Sequence, residues 1–191
     1  SCSPKYARER GGDWKANISA LNEDMGIQRY RLMSYWDDIE KTKGDYDFSE
    51  LDWQMDQAAK YGSKVSLGLG MRQPRWPECH KPEWYKALGS KQEKDQAIIN
   101  FVEVVVKRYK NHPALESYQL ENEAVNNWFG TCTPEDIDQK RLEKEFAAVK
   151  SIDTNTPVFM SLSDQHGLPL GKPVPDKYGF SVYRIVWNAK T

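Results

Sequence analysis

The stretch KVSLGLG, residues 64–70, decides the fold that the sequence predicts. Its larger side chains Val65, Leu67 and Leu69 alternate with serine and glycine, a pattern typical of a β-strand with one face of small residues. A helical pattern precedes it at residues 49–62, and a longer one follows it at residues 91–110. Because a strand between two helices is the repeating unit of a parallel sheet, we expect an α/β fold.

The alternation of helices and strands continues on both sides of that stretch. Ser49 and Asp52 match a capping box, and Thr133-Pro134 is a typical start for a helix that continues to about residue 149. A further helix is predicted over residues 13–25, and a stub near Cys2 could end an additional strand. The other predicted strands are residues 27–35, 115–122, 158–162 and 178–182. We therefore expect a parallel sheet of about six strands, open or closed into a barrel.

Length and composition exclude several classes of protein. The chain has 191 residues, which suits one ordinary domain spanning residues 1–191. Its 27 basic and 28 acidic side chains nearly cancel, which argues against binding nucleic acid by phosphate neutralisation. No apolar run approaches the roughly 18 residues of a membrane span, so we expect none. An aromatic share of 12% is too high for a disordered chain.

The cysteines and histidines do not predict a metal site or a cofactor. No pair of the three cysteines has the CxxC spacing of zinc ligands, and the three histidines are scattered along the chain. Cys79 and Cys132 both lie in loop-like stretches and could form a disulfide if those loops meet. Two unpaired thiols are the equal alternative.

Polar and tryptophan side chains follow the ends of the predicted strands. In parallel α/β folds the functional residues lie at the carboxyl ends of strands. Carboxylates, amides and arginines there would hydrogen-bond sugar hydroxyls, while indoles would stack on sugar rings. For any single tryptophan, a place in the core remains the alternative. The candidate residues for a sugar-binding cleft are Arg31, Trp36, Trp76, Asn122, Glu123, Trp128 and Tyr183.

Three motifs, each after a predicted strand, resemble those of clan A retaining glycoside hydrolases. Residues 27–52 resemble the second βα unit of that clan, and Pro74-Arg75-Trp76-Pro77 resembles its third-strand loop. Gln119-Leu120-Glu121-Asn122-Glu123 resembles the fourth-strand Asn-Glu signature. The resemblance covers most of the chain. It implies a (β/α)8 TIM barrel and a double-displacement mechanism, with cellulase-like and mannanase-like relatives.

The resemblance also implies roles for individual residues. Glu123 would be the general acid/base, and Asn122 would hydrogen-bond the sugar 2-hydroxyl. Arg31 would support the catalytic carboxylate, and Ala124 departs from the proline that often follows the motif. The implied partner is a carbohydrate with β-glycosidic bonds, no cofactor is implied, and the implied location is secreted or extracellular. Aromatic contacts to the sugar would come from Trp36, Trp76, Trp128 and Tyr183.

The length of the chain limits this interpretation. A complete barrel of this kind needs about 250 residues, so strands seven and eight have no sequence to occupy. The nucleophilic glutamate of the clan follows strand seven, and we expect it to be absent. A carbohydrate-binding barrel fragment without catalysis is therefore the alternative function. Open barrel edges would also favour a homo-oligomer.

Overall fold

The computed structural model describes residues 3–126, 130–163 and 171–182. Its centre is one sheet in which every strand is parallel to its neighbour and the strands follow chain order. This order requires a crossover between each pair of strands, which is the arrangement of a (β/α) barrel. The five described strands are β1 (Arg29–Met33), β2 (Lys64–Leu69), β3 (Leu115–Leu120), β4 (Val158–Ser163) and β5 (Lys177–Ser181).

Helices cover the apolar side of this sheet. Between the strands lie two long helices and two shorter ones, together with two short 3-10 segments at Glu83–Ala87 and Pro134–Asp136. No helix of the described ranges combines the length and the apolar character that a membrane span requires. The described helices are α1 (Pro4–Glu9), α2 (Trp14–Glu23), α3 (Trp36–Ile39), α4 (Ser49–Lys60), α5 (Lys91–Tyr109) and α6 (Gln139–Ile152).

The alternating pattern of β2 separates an apolar face from a polar one. Leu67 is fully buried in the same core cluster as Phe101 of α5. On the other face, the hydroxyl of Ser66 hydrogen-bonds that of Ser117 at 2.7 Å. Arg31 is the register partner of Ser66 on β1, so its side chain shares this polar face. The polar face corresponds to the interior of a barrel, and it leads towards the carboxyl ends of the strands.

Two helix starts differ in detail from their predictions. The helix α4 begins at Ser49 itself, with Phe48 as its N-cap, and Ser49 donates its backbone N–H to Asp47 at 2.9 Å. The Thr133-Pro134 start produces only a 3-10 turn, and α6 begins later, after Asp138 accepts from two backbone N–H groups. At each of these helix starts, an aspartate within two residues before the helix accepts the free backbone N–H groups of the first turn.

The sequence also predicts the stub of a further strand near Cys2. Residues 3 and 4, the part of this stub that the structure describes, form no strand. Ser3 caps helix α1, and Pro4 is the first residue of that helix. Cys2 itself lies outside the described residues. The described sheet therefore has five strands.

The prediction that Trp36 is a sugar platform is wrong. Its side chain is 0% exposed and stacks on Phe101, with 5.4 Å between the ring centroids. The indole N–H donates to the Glu40 carboxylate at 2.6 Å, and the Trp84 ring packs edge-on at 5.6 Å. Trp36 is a core residue because helix α3 turns the chain back onto α5 directly after β1.

Alanine at Trp36 and at Trp76 should separate the core indole from the exposed one. We expect Trp36→Ala to lower the free energy of unfolding by about 3–5 kcal/mol, because it leaves a large cavity. Trp76 is 64% exposed, so we expect Trp76→Ala to change it by less than about 1 kcal/mol. Urea unfolding of both variants measures the difference. Equal losses would show that Trp76 is also a packing residue.

Candidate active site

The site is built on the turn that follows β3. Glu121 and Glu123 have backbone φ angles of +49° and +45°, which residues other than glycine rarely adopt. Three hydrogen bonds hold this conformation. Glu121 N–H donates to the Leu69 carbonyl at 3.0 Å, Asn122 N–H to the Arg72 carbonyl at 2.9 Å, and Glu123 N–H to the Ser161 hydroxyl at 2.9 Å. The end of β3 is thus fixed between the ends of β2 and β4.

The Glu123 carboxylate is nearly buried and held at both oxygens. The residue is 6% exposed. Its Oε1 accepts from the Ser181 hydroxyl of β5 at 2.6 Å, and its Oε2 accepts from Asn126 Nδ2 at 3.0 Å. The carboxylate therefore has one orientation, which general acid catalysis requires.

The oxygen and the nitrogen of the Asn122 amide have different partners. Its Oδ1 accepts from Gln119 Nε2 at 3.1 Å and from the Ser161 hydroxyl at 3.3 Å. Its Nδ2 donates to Glu78 Oε1 at 3.2 Å. Among the described residues, the second N–H of Nδ2 has no partner, so it can donate to a ligand oxygen.

Arg72 contacts the backbone of this turn directly. Its guanidinium is buried and donates to Glu78 Oε2 through Nε at 2.8 Å, with Nη2 at 2.7 Å from the same oxygen. Its Nη1 donates to the Glu123 carbonyl at 3.1 Å and also to the Asn126 carbonyl. The sequence did not single out Arg72 or Glu78 because a buried arginine and an exposed one look alike in sequence.

Arg31 reaches the same region by a longer route. Its Nη1 donates to Gln119 Oε1 at 3.2 Å, and Gln119 in turn donates to Asn122. The proposed support of the catalytic carboxylate by Arg31 stays a prediction.

Glu78 is a second buried carboxylate beside Glu123. Burial raises the pKa of Glu78 above its usual range, the charge of Glu123 adds to this rise, and the Arg72 guanidinium opposes it. Its backbone also has a positive φ, of 66°. The loop after β2 places this carboxylate against Arg72 and Asn122.

A disulfide joins the loop after β2 to the segment after β3. Cys79 and Cys132 are bonded, with 5.3 Å between their Cα atoms, which decides between the two alternatives that the sequence left open. Thr131 donates its backbone N–H and its hydroxyl to the Pro77 carbonyl at 2.9 and 3.1 Å. A Cβ at Gly130 would lie 3.1 Å from the Glu78 Cβ, so the two segments pack in direct contact.

The structure describes only one of the three remaining aromatic candidates. Trp76 lies exposed in the loop after β2, and its role as a sugar platform stays a prediction. Trp128 and Tyr183 lie outside the described residues. Within the described ranges, no cluster of three His, Cys, Asp or Glu side chains could hold a metal ion.

A second charged cluster lies behind the turn. The Glu121 carboxylate accepts the backbone N–H groups of Met71 at 3.2 Å and Arg72 at 2.6 Å. Arg141 of α6 lies 3.8 Å from Glu121 and donates to Glu145 at 2.7 Å. One guanidinium thus faces two buried carboxyl groups. Burial and the neighbouring Glu145 raise the pKa of Glu121 to about 8.

This cluster predicts a pH dependence of stability. Because the pKa of Glu121 is about 8 in the folded chain and near 4.5 when unfolded, the folded chain binds more protons between these values. The free energy of unfolding should therefore fall as the pH rises from 4.5 to 8. We expect Glu145→Gln, which removes one of the two acids, to reduce this slope and to raise the melting temperature at pH 8 relative to the parent.

The exposed Glu135 offers a matched control for that measurement. Glu135→Gln removes the same charge at the surface, so its melting curves should keep the slope of the parent chain. An unchanged slope in Glu145→Gln would show that the buried cluster does not titrate in this range.

The parallel sheet in chain order, with a held carboxylate after β3, places the chain in the class of (β/α) barrel proteins. The model of one glycosyl hydrolase family, family 42, described as beta-galactosidase, matches residues 5–155. The chain belongs to this family. No curated protein matches the chain in sequence.

Solved structures of glycoside hydrolases share the fold. Exo-beta-1,4-mannosidase Op5Man5 from Opitutaceae bacterium strain TAV5 has 17% identity and a TM-score of 0.66, over 86% of this chain and 30% of its own. Xylanase XynB from Paenibacillus barcinonensis has 14% identity and a TM-score of 0.60, over 78% and 48%. Endo-glycoceramidase II from Rhodococcus sp. has 16% identity and a TM-score of 0.57, over 77% and 44%. The chain thus spans less than half the length of each, and the predicted partial TIM barrel is confirmed.

Proposed function

We propose that the chain supplies the acid/base half of a retaining glycosidase site that cleaves β-glycosidic bonds of a polysaccharide or oligosaccharide. The observation that carries this proposal is the Glu123 carboxylate, buried after β3 and held by Ser181 and Asn126. Asn122 beside it has one Nδ2 N–H without a partner among the described residues, and this N–H would donate to a sugar oxygen.

The proposed reaction has two displacements. In the first, Glu123 donates its proton to the glycosidic oxygen as the bond to the anomeric carbon breaks and a second carboxylate attacks from the opposite face. In the second, Glu123 takes a proton from water, which attacks the same carbon and releases the second carboxylate. The Ser181 hydroxyl and the Asn126 amide would keep Glu123 in place through both steps.

The second carboxylate must lie about 5–5.5 Å from Glu123. The charge of Glu123 acts on the described carboxylate of Glu78, and both Glu78 oxygens are engaged, one by Arg72 and one by Asn122. Glu78 is therefore better suited to holding the site than to attacking a sugar. We propose that the nucleophile is none of the described carboxylates of the same copy of the chain, and that a second copy or another polypeptide supplies it.

The engaged state of Glu78 also favours a second candidate function. A barrel fragment without a nucleophile would bind carbohydrate through Asn122 and the exposed Trp76 without cleaving it. Turnover of aryl β-glycosides distinguishes the two functions, because a binder has affinity but no rate.

An external nucleophile tests the role of Glu123 directly. Azide can replace a missing carboxylate by attacking the anomeric carbon of an aryl β-galactoside, which releases the aryl alcohol and forms a glycosyl azide of inverted configuration. With azide present, we expect Glu123→Gln to slow cleavage of an unactivated alkyl glycoside by about 10²–10⁴-fold. A dinitrophenyl glycoside needs no proton for its leaving group, so its rate should change little.

The same Glu135→Gln variant serves as the control for both glycosides. If Glu123→Gln cleaved the alkyl glycoside within about tenfold of the parent rate, general acid catalysis by Glu123 would be wrong. Binding without cleavage of either glycoside, with or without azide, would support the carbohydrate-binding alternative.

The last strand of the described sheet, β5, predicts how a second copy would attach. Phe180 on the edge strand β5 is 59% exposed. We expect light scattering to show that the parent chain is a homo-oligomer. Phe180→Lys should make the chain monomeric, and this monomer should cleave glycosides only when azide is present. Val174, 68% exposed and outside the strand, provides the control Val174→Lys. A monomeric parent chain would exclude this route to the second carboxylate.

A further inference from the structure

The Glu78 carboxylate occupies a position that the proposed chemistry does not use. It is buried, and its Oε2 accepts both the Nε and the Nη2 contacts of Arg72. Its Oε1 faces Asn122 Nδ2 at 3.2 Å. Burying a carboxylate costs free energy even where one cation and one amide contact it. The buried position of Glu78 therefore needs an explanation.

The explanation lies in the two ends of the Asn122 amide. An amide can turn by half a rotation at little steric cost, and the turn exchanges its acceptor for its donors. The ionised carboxylate of Glu78 accepts but does not donate, so only the Nδ2 end of Asn122 can face it. On the other side, Gln119 Nε2 donates and only the Oδ1 end can accept from it. The remaining N–H of Nδ2 is then available to a ligand.

We propose that Glu78 is a positioning residue that fixes Asn122 as a hydrogen-bond donor and thereby selects a sugar hydroxyl oxygen as its acceptor. The ligand named in this inference rests on the proposed function, whereas the orientation of the amide does not. The Cys79–Cys132 disulfide and the contact of Gly130 with Glu78 hold the loop that carries the carboxylate.

The first test needs no ligand. In the full chain, nitrogen-15 spectra report the side-chain amide protons of Asn122, and the proton bonded to Glu78 should be shifted downfield and slow to exchange. In Glu78→Gln the amide oxygen of the new side chain pairs with Arg72, so a nitrogen faces Asn122 and these features should be lost. Glu83→Gln, at an exposed glutamate paired with Lys86, should leave them unchanged. Unchanged Asn122 signals in folded Glu78→Gln would overturn the proposal.

A second measurement keeps the test valid if Glu78→Gln does not fold. Arg72 and Glu123 are the charged groups whose fields act on Glu78. In the Glu123→Gln background, the Asn122 amide signals should move with pH at the same midpoint as the carboxyl carbon of Glu78. If the two midpoints differ, Glu78 does not control the amide.

Ligand binding then tests the consequence for recognition. Phenyl β-D-galactoside is the probe, because the matching family is described as beta-galactosidase. We expect Asn122→Ala and Glu78→Gln each to weaken its binding by about tenfold, and the double variant to be no weaker than either one. Losses that multiply in the double variant would show that Glu78 acts independently of Asn122. If the parent chain does not bind the probe, the proposed function fails for this sugar, while the amide spectra still decide the role of Glu78.

Discussion

The buried Arg72 guanidinium is the interaction on which the geometry of the site depends. It joins the carboxylate of Glu78 on its own loop to the backbone carbonyls of Glu123 and Asn126 on the next one. A buried cation is stable only when charged or strongly polar groups surround it, so none of these partners can move independently. The strained turn at Glu123 persists because its carbonyl is one of these partners.

A second constraint acts on the same turn from the opposite side. The Glu121 carboxylate binds two successive backbone N–H groups of the loop after β2, and it lies so close to Gly70 that a Cβ there would be 2.4 Å from Oε1. Only glycine is possible at this position, which also has a φ of +89°. Glu121 and Arg72 thus tie β2 and β3 together twice, and Asn122, which lies between Glu121 and Glu123 in the turn, is held on both sides.

The sequence predicted the order of the elements and the position of the turn after β3 better than the surroundings of that turn. The alternation in residues 64–70 and the Asn-Glu motif are local patterns, and local patterns determine strands and strand ends. Trp36 and Trp76 show the limit, since both indoles follow a strand and stand near charged residues, yet one is core and the other is exposed. Which one packs depends on where α3 meets α5, and this is set by tertiary contacts. The same reason explains why the sequence pointed to Arg31 whereas Arg72 contacts the turn.

The topology explains how part of a barrel can hold one carboxylate in a fixed position. In a sheet that follows chain order, the neighbours of β3 are β2 and β4, and β5 lies one strand further. The groups that hold Glu123 come from these strands or the loops directly after them: Arg72 after β2, Asn126 after β3, Ser161 on β4 and Ser181 on β5. None of these contacts requires a strand from the far side of a closed barrel. The position of the Glu123 carboxylate is therefore determined by β2 to β5 and the loops that follow them, within the described residues.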